Sequence, residues 1–483
     1  MAIAKIRILD EVNSVITGLD PDTFKKVQNV LTFYVPGFVH MPLYKLGRWD
    51  GRIKLVTANC GLPINLVPYI VDILTENGYE LKIIEDNRSD YSEDLKKIDL
   101  IDRNSFNHIL LEKKPLLLWE HQKDAVNRAL QNGGGILELA TGSGKTLICA
   151  ILSHIYSQIG KVVVIVPNID LVLQTQIWFD KLGIDTGIWY GESKNPKHVT
   201  VSTWQSLSIY PELLGGVKCV IVDEVHQSKA KTLQEILTGP AAKVPFRFGC
   251  SGTIPKEDLF RKQIIGAIGE IIFSLPSWEL QEKGILAKSH ITQIMLDDCS
   301  NPSYIKNIRN DSIQDWADEV NWMFTQTERW EYIADMIKEV TEQNNNSLVL
   351  VQYRKQGKKL QELIPNAVSL DGRNKDRKEI YDIFNKENHN VLICTTGIAS
   401  TGIDIPRIYN LFIIEPGKKF EKIIQILGRG LRKAEDKDSL NVFDICGNSS
   451  FSKTHANKRR TLYKGAKHDF ERIKVDYNVD VNS

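Results

Sequence analysis

The stretch that decides the fold is Gly133–Ala150, which reads GGGILELATGSGKTLICA. An apolar run, Ile136–Leu139, has strand character, and the chain then turns through Thr141–Gly144 into a helix predicted to begin at Lys145. Glycines let backbone amides close around a phosphate, and a helix N-terminus adds positive potential. The stretch therefore predicts a phosphate-binding loop after a buried strand. An ordinary tight turn is the minor alternative, because Lys145-Thr146 completes the P-loop pattern.

Other short runs share the strand character of Ile136–Leu139. They are apolar throughout instead of alternating, which is typical of parallel strands buried on both faces. Two successive series predict two tandem α/β domains, each a parallel sheet covered by helices. The first series is GGILELA, KVVVIVP, HVTVST, CVIVDE and RFGCSGT, and the second is SLVLVQY, NVLICTT, NLFIIEP and LNVFDIC.

The two series fall within a predicted order of five segments. Residues 1–110 form a small mixed α/β domain, 111–295 the first parallel-sheet domain, 296–324 a polar linker or insertion, 325–450 the second parallel-sheet domain, and 451–483 a basic helical segment. In the first segment, helices are expected at Pro21–Leu31 and Leu66–Asn77, and strands at Thr32–Val39, Arg52–Val56 and Glu80–Ile84.

Composition limits the classes of function. The net charge is only +1, so the chain has no overall basic signature for nucleic acid. Eight cations lie between Lys453 and Lys474, against Asp469 and Glu471; phosphate binding and a solvated tail are both open for this patch. The seven cysteines form no CxxC pair, and no apolar run approaches the roughly 20 residues of a membrane span. We expect a reduced, cytoplasmic protein without a zinc site, disulfide framework or membrane partner.

The phosphate loop needs a metal contact and a general base, and CVIVDEVH supplies both after another apolar strand. Asp223 and Thr146 would hold Mg²⁺, Lys145 would reach the β- and γ-phosphates, and Glu224 would deprotonate the attacking water. The backbone of Thr141, Gly142, Ser143 and Gly144 would line the phosphates. The sequence therefore predicts a nucleoside triphosphatase that uses Mg²⁺.

The base is predicted to be adenine. Asn374-Lys375 begins a possible guanine-reading NKxD motif, but Arg377 occupies its fourth position, so we reject it. The amide of Gln122 suits the N6/N7 edge of adenine. Trp119 or His121 could stack on the base, although a buried core tryptophan is the commoner alternative for Trp119.

A second set of candidate residues lies in QILGRGLRK, residues 425–433. Arg429 and Arg432 are three residues apart on a predicted helix and share one face, with Gln425 one turn earlier. Two guanidiniums on one face suit a triphosphate, as arginine fingers, although surface salt bridges are the usual role of such a pair. TTGIASTGIDIP, residues 395–406, follows another buried strand and adds Asp404.

These motifs, taken in order over roughly residues 115–450, resemble the superfamily 2 DExH helicases. The DExH form and the motif order are most similar to the XPB-like group and the phage UvsW-type branch-migration helicases. The resemblance extends to the N-terminal segment through YKLGRWDGRIKLV, residues 44–56. The ordered set is Gln122, ATGSGKT (140–146), VPNIDLVLQ (166–174), STWQS (202–206), DEVH (223–226), SGT (251–253), VQYR (351–354), TTGIASTGIDIP and QxxGRxxR.

The resemblance implies two RecA-like domains and a role for each matched residue. Lys145, Thr146, Asp223 and Glu224 would hydrolyse ATP, and Arg429 and Arg432 would stabilise the transition state. His226 and Gln425 would couple the nucleotide to DNA, Ser251 and Thr253 would link the two cleft edges, and Asp404 would contact the ribose. Asn168, Thr203, Gln205, Arg354, Thr395 and Thr401 would lie along the nucleic-acid strand. Ala140 in place of glycine and SGT in place of SAT are the departures from the family pattern.

The resemblance also implies the activity: ATP-dependent remodelling of branched DNA by fork regression, Holliday-junction branch migration and R-loop unwinding, in phage recombination, repair and replication. The expected partners are branched, forked or single-stranded DNA and RNA in R-loops, with a monomer acting in the host cytoplasm. Arg48, Trp49, Arg52 and Lys54 would grip the junction, unless Trp49 is core and Asp50-Gly51 a plain hairpin turn. A duplex translocase, an RNA helicase and a non-motor ATP clamp remain the alternatives.

Overall fold

The computed structural model describes residues 1–111, 113–229, 231–370, 377–402, 407–417, 423, 426–428, 430–431 and 437–477. The chain divides into two compact units, Met1–Leu275 and Pro276–Ser483. The predicted border of the two parallel-sheet domains, at residue 295, therefore lies about 20 residues later along the chain than the border of the units.

The N-terminal part of the first unit is a small mixed sheet with helices. Its first strand, Ala2–Ile8, buries every second side chain, as a strand with one solvated face does. The helix predicted over Leu66–Asn77 is divided into a 3₁₀ turn, Ile64–Tyr69, and an α-helix, Val71–Glu76, because Pro68 lacks the N–H that a continuous helix needs. The sheet order is Gly61–Pro63, Asn13–Thr17, Ala2–Ile8 and Tyr79–Asp86; Thr32–Tyr34 pairs with Arg52–Lys54, and the other helices are Pro21–Val30, Pro42–Lys45 and Ser92–Leu95.

This N-terminal part packs against the first parallel-sheet domain through hydrogen bonds and a shared hydrophobic core. Glu11 N donates to Ala242 O at 3.1 Å, and Asn13 Nδ2 donates to Thr238 O at 3.0 Å. The two parts also share one continuous hydrophobic core, in which Ile6 and Leu66 belong with residues of the parallel sheet.

The first parallel sheet confirms the fold class predicted for this half of the chain. All its described strands are parallel except the edge strand Ser193–Asn195. The five predicted strands are present, and three more were not predicted: Thr186–Tyr190, Ser193–Asn195 and Ile271–Leu275. The sheet order is Ser193–Asn195, Thr186–Tyr190, Val199–Thr203, Lys161–Val166, Val217–Asp223, Phe246–Ser251, Gly134–Leu139 and Ile271–Leu275; its helices are Glu120–Asn132, Lys145–Ser157, Ile169–Lys181, Trp204–Ile209, Lys231–Thr238 and Asp258–Ile268.

The second unit contains the second parallel sheet, with all four predicted strands. Lys288–Leu296, which we assigned to the first domain, pairs here with Ser439–Gly447. Asp469–Val475, expected to be helical, is instead the edge strand beside Lys288–Leu296. The order is Val368–Leu370, Val391–Thr395, Ser347–Val351, Asn410–Ile414, Ser439–Gly447, Lys288–Leu296 and Asp469–Val475; the described helices are Ser277–Glu282, Pro302–Arg309, Trp316–Thr325, Thr327–Asn344, Arg354–Leu363, Arg377–Lys386, Thr396–Gly402 and Ser450–Gly465.

Two searches of the described ranges bear on function. None of the helices there combines the length and apolar character that crossing a membrane requires. The same ranges hold no cluster of three or more His, Cys, Asp or Glu suited to a metal ion. A nucleotide-bound Mg²⁺ does not need such a cluster, because phosphate oxygens and water complete its shell.

Candidate functional site

The predicted phosphate loop lies between the strand Gly134–Leu139 and the helix Lys145–Ser157. Gly142 and Gly144 have φ of 89° and 88°, in the left-handed region that glycine adopts without strain. A Cβ on Gly144 would also collide with the Gln122 amide. The loop therefore requires glycine at Gly144 for both its backbone and its neighbour.

Two residues of the helix Glu120–Asn132 bind the backbone of the loop. Ser143 O accepts hydrogen bonds from His121 Nε2 at 2.9 Å and from Gln122 Nε2 at 3.1 Å. Ser143 Oγ is buried and has no hydrogen-bond partner within the part of the chain that the structure describes. A buried hydroxyl without a partner fits a loop that donates to a ligand oxygen, so the residues present suit a bound phosphate.

Gln122, predicted to read adenine, is buried and bonded at both ends of its amide. Besides donating to Ser143 O, it accepts a hydrogen bond from Trp119 N at 3.0 Å. One N–H and one lone pair of the amide remain for a base, and adenine recognition stays a prediction. Trp119 is 42% exposed, so the core alternative is wrong for this residue, and the buried partner is His121. The exposed ring of Trp119 is the one that can stack on a base.

Asp223 ends the strand Val217–Asp223, two strands away from Gly134–Leu139 in the sheet, and Glu224 follows it directly. Lys145 Nζ lies 2.8 Å from Glu224 Oε1. Glu224 has a φ of 52° and its N–H donates to Asp223 Oδ1 at 2.9 Å. A positive φ in a glutamate is uncommon and is characteristic of functional turns. The fold therefore brings together the cation and both carboxylates predicted from the sequence, beside the first helical turn that contains Thr146.

The charges of this cluster are set by burial and by each other. Burial by itself would raise the pKa of Glu224, but the Lys145 ammonium and His226 hold it well below its usual range. Burial raises the pKa of Asp223. The pKa of Lys145 is raised, because Glu224 and Asp223 outweigh the effect of burial. Glu224 is consequently an ionised carboxylate, the form that a general base needs.

His226, Ser251 and Thr253 form a hydrogen-bonded group beside the candidate general base Glu224. His226 Nδ1 lies 2.9 Å from Ser251 Oγ and 3.2 Å from Glu224 Oε2, and Ser251 Oγ donates to Thr253 O at 2.7 Å. The group connects the general-base candidate to the SGT segment at the end of the next strand. Its role in coupling stays a prediction.

Two of the three candidate nucleic-acid contacts of the first unit have structural roles of their own. Asn168 caps the helix Ile169–Lys181 by accepting from Leu171 N at 2.9 Å, and Thr203 caps the next helix by accepting from Ser206 N at 3.3 Å. Thr203 is buried, whereas Gln205 is exposed. All three lie at the carboxyl ends of two adjacent parallel strands, and their contact with nucleic acid stays a prediction.

The second unit brings Arg354 and Thr395 together. Both line a cavity of about 160 Å³ with Ser369 and Cys394, at the carboxyl ends of two adjacent strands. Thr401 lies in the helix Thr396–Gly402. Six further residues of the sequence analysis lie outside the described residues: Asn374, Lys375, Asp404, Gln425, Arg429 and Arg432.

The N-terminal candidates lie on the strand Arg52–Lys54 and in the segment just before it. The Arg52 guanidinium lies 4.5 Å from the centre of the Tyr34 ring, and Trp49 Nε1 donates to Arg52 O at 2.9 Å. Trp49 is half-buried, and Arg48 and Lys54 are exposed. The alternative that Trp49 is core is therefore wrong, and of the three cations Arg52 is the one that lies over an aromatic ring.

The basic C-terminal segment is only partly a surface patch. Arg459 is buried, with Nε 2.9 Å from Asp444 Oδ2, and Arg472 donates to Gln293 Oε1 at 2.8 Å. These two cations are therefore structural. The other six are exposed and remain candidates for phosphate contact: Lys453, Lys458, Arg460, Lys464, Lys467 and Lys474.

One supporting residue was not predicted in its actual role. Sequence reasoning considered His121 for stacking, whereas its Nε2 supports the loop carbonyl of Ser143. Its place directly before Gln122, at the start of a helix, is the only signal in the sequence. No spacing rule would assign it to the loop 22 residues later.

Comparison with known families agrees with this geometry. Three family profiles match: "DNA helicase UvsW, N-terminal" over residues 4–84, "Type III restriction enzyme, res subunit" over 116–256, and "Helicase conserved C-terminal domain" over 328–434. The first covers the small mixed sheet, the second the phosphate loop and its carboxylates, and the third the central part of the second unit.

Individual relatives give the same result. The ATP-dependent DNA helicase uvsW of Enterobacteria phage T4 is 26% identical, over 94% of this chain and 93% of its own length. DNA 3'-5' translocase XPB2 of Sulfurisphaera tokodaii is 24% identical, over 69% and 82% respectively. The structure of the type ISP restriction-modification enzyme LlaBIII bound to DNA shares the fold, with a TM-score of 0.58 at 17% identity over 88% of this chain and 37% of that one. The chain is therefore homologous to a DNA helicase over nearly its whole length.

Proposed function

We propose that this chain, which belongs to the superfamily 2 helicases related to UvsW and hydrolyses ATP, uses that energy to remodel branched DNA. The observation that carries the proposal is the pairing of Lys145 with Glu224 beside the phosphate loop, in a unit to which a UvsW-type N-terminal domain is firmly packed. The recognition domain and the first parallel-sheet domain would then move as one piece, which suits a motor that must act at one place on a branched molecule.

The chain's own residues have separate tasks in hydrolysis. Backbone amides of the loop and Lys145 Nζ bind and orient the phosphates. Glu224, ionised and turned into the site by its positive φ, accepts a proton from water. His226 lies beside the carboxylate and connects it through Ser251 to Thr253.

Thr146 and Asp223 would hold Mg²⁺. Bound there, the ion would neutralise charge on the phosphate oxygens. The hydroxyl and carboxylate oxygens of these two residues are the ligands that Mg²⁺ prefers, and both lie at the loop that would hold the phosphates. Asp223 is available to bind the ion, because Glu224 acts as the general base.

Branched DNA fits such a motor energetically. Separating a free duplex costs about 1.4 kcal/mol per base-pair step, whereas branch migration and R-loop exchange form one pair for each pair broken. ATP hydrolysis would then mainly set the direction of movement, because little net free energy is needed to exchange base pairs. Arg48, Arg52 and Lys54 would grip the junction phosphates, and Asn168, Thr203, Gln205, Arg354, Thr395 and Thr401 would follow one strand. We infer 3'-5' movement, in line with the name of the XPB2 relative, and keep the expectation of a monomer.

A second candidate is a duplex translocase that does not separate strands. The profile of a restriction-enzyme subunit matches residues 116–256, which is the observation in its favour. The matched residues contain the nucleotide loop and its carboxylates, which both activities need. A test must therefore measure strand separation together with hydrolysis.

The deciding experiment measures ATPase activity with fork DNA, Holliday-junction DNA, linear duplex, single-stranded DNA and RNA in parallel. Strand displacement on the fork is scored in the same reactions, with Glu224→Gln as the blank. Stimulation mainly by branched DNA, with displacement, is the expected result. Stimulation by linear duplex without displacement would identify a translocase, and a preference for RNA would overturn the proposal.

A further inference from the structure

The strands Thr32–Tyr34 and Arg52–Lys54 are joined by a folded excursion, residues 35–51. Its backbone is closed by its own hydrogen bonds, including Val35 N to Gly51 O at 2.9 Å and Arg48 N to Leu43 O at 2.9 Å. The excursion also contains a short helix, Pro42–Lys45. It is an ordered element and not an irregular loop.

An aromatic column supports this excursion. The rings of Tyr34 and Phe38 are stacked with centres 4.7 Å apart, and Phe38 meets Tyr44 edge to face at 4.8 Å. Gly51, with φ of 80°, lies so close to Phe38 that any side chain there would collide with the ring. Arg52 covers the outer face of Tyr34. This aromatic column fixes the shape of the excursion.

The excursion presents four apolar side chains to solvent. Leu46 is 65% exposed, Leu43 56%, Val39 46% and Met41 36%; these four residues are termed the apolar tip. The excursion folds without burying them, and four such residues within eight positions form a patch instead of scattered surface side chains. An ordered element that displays an apolar patch indicates a binding surface.

The surroundings of the apolar tip identify its occupant. Lys45, Arg48, Arg52 and Lys54 flank it, and Asp50 is the only acidic residue from Thr32 to Val56. Asp50 Oδ1 accepts a hydrogen bond from Arg52 N at 3.0 Å. An apolar surface within a cationic border complements nucleic acid, whose bases are apolar faces between phosphates.

We propose that the apolar tip is a wedge that packs against the base pair at a DNA branch point and unstacks it. The proposal rests on the proposed function and deepens it: the cations hold the phosphates, and Leu43 and Leu46 contact the bases. Interior base pairs of a linear duplex are stacked on both faces, so a wedge between them would cost about a few kcal/mol of unstacking per step. The wedge would therefore contribute to fork binding and not to linear-duplex binding.

The test uses the full chain and a fork with 2-aminopurine at the branch point, compared with the same base placed inside one arm. Wild type is expected to raise the fluorescence only at the branch point. Leu43→Ser/Leu46→Ser should lose most of this rise and about tenfold of the preference for fork over linear duplex, the loss expected for one stacked base. ATPase activity with linear duplex should be unchanged.

Two matched variants accompany it. Ile83→Ser/Ile84→Ser removes two equally exposed apolar residues from the N-terminal sheet and should behave as wild type. Leu43→Met/Leu46→Met keeps the tip apolar and should retain both signals. If the serine variant keeps the branch-point signal, the wedge is overturned while branched-DNA remodelling stands.

The remaining outcomes separate other causes. Wild type that binds fork and linear duplex equally would overturn the proposed function and the wedge together. A wild-type dimer that the serine substitutions convert to a monomer would assign the apolar tip to a second copy of the chain and overturn the wedge.

Discussion

Lys145 Nζ lies 2.8 Å from Glu224 Oε1, so the cation predicted to bind the phosphates of ATP is paired with the carboxylate predicted to activate water. Both side chains are largely buried, and such a charge-assisted hydrogen bond is strong. If ATP binds Lys145 as predicted, it has to compete with Glu224 for the ammonium. Substrate binding would then release the general base and link the two steps through one ion pair.

Glu224→Gln should separate binding from turnover. The amide cannot accept the proton, so the ATPase rate should fall about 10²–10⁴-fold. ATP affinity should rise, because Lys145 loses its competing carboxylate. Steady-state ATPase assays and titration with a fluorescent ATP analogue measure the two effects. Glu235→Gln, at an exposed glutamate, is the control, and weaker ATP binding by Glu224→Gln would show that the pair positions Lys145 instead of competing for it.

Two glycines of the site should respond oppositely to alanine. A Cβ on Gly252 would meet its nearest neighbours at 3.6–3.9 Å, an ordinary contact distance, so Gly252→Ala should keep ATPase activity and melting temperature close to wild type. Gly144→Ala requires a left-handed alanine and displaces Gln122, and should lose most ATP binding. Loss of activity in Gly252→Ala would mean that the SGT segment needs backbone freedom.

The parallel core was predictable because its strands are apolar throughout. KVVVIVP and CVIVDE became Lys161–Val166 and Val217–Asp223. The edge strand Asp469–Val475 was missed because its sequence, DFERIKV, carries four charges. An edge strand needs few apolar residues, so its charges were counted toward a basic helical segment.

The residues of the nucleotide site were predictable, since short motifs contain them, but their present partners were not. Spacing places Lys145 and Glu224 in one site and does not say that they pair. In the same way, a cation count cannot separate the buried Arg459 from the exposed Arg460. Both distinctions depend on long-range packing, which local sequence does not encode.

Stability should fall in mild acid because of His468. Burial lowers its pKa to about 4, and its Nδ1 contacts Ser289 Oγ at 2.6 Å. The unfolded chain takes up a proton near pH 6.5 and the folded chain does not, so this stability is present above pH 6.5 and is lost as the pH falls toward 4.

His468→Gln should remove this dependence. Between about pH 7.5 and about pH 5, wild type should lose about 2 kcal/mol more of its free energy of unfolding than the variant, from the 1.36 kcal/mol per pKa unit. Urea titrations at both values measure it. His40→Gln, at an exposed histidine, should follow wild type, and equal pH dependence in all three proteins would show that His468 is protonated in the folded chain.

The neighbours Arg459 and Arg460 should separate stability from DNA binding. Arg459→Met leaves the buried Asp444 carboxylate without its guanidinium partner, which should cost about 3–5 kcal/mol of the free energy of unfolding. Arg460→Met, at an exposed position, should change stability by less than about 0.5 kcal/mol. If the exposed cations of this segment contact phosphates, it should also reduce the salt dependence of DNA binding by about one unit of slope. Urea unfolding tests the stability change, and DNA affinity measured over a range of salt concentrations tests the phosphate contact. An unchanged slope of log affinity against log salt concentration in Arg460→Met would assign the segment to a solvated surface, because each lost phosphate contact lowers that slope.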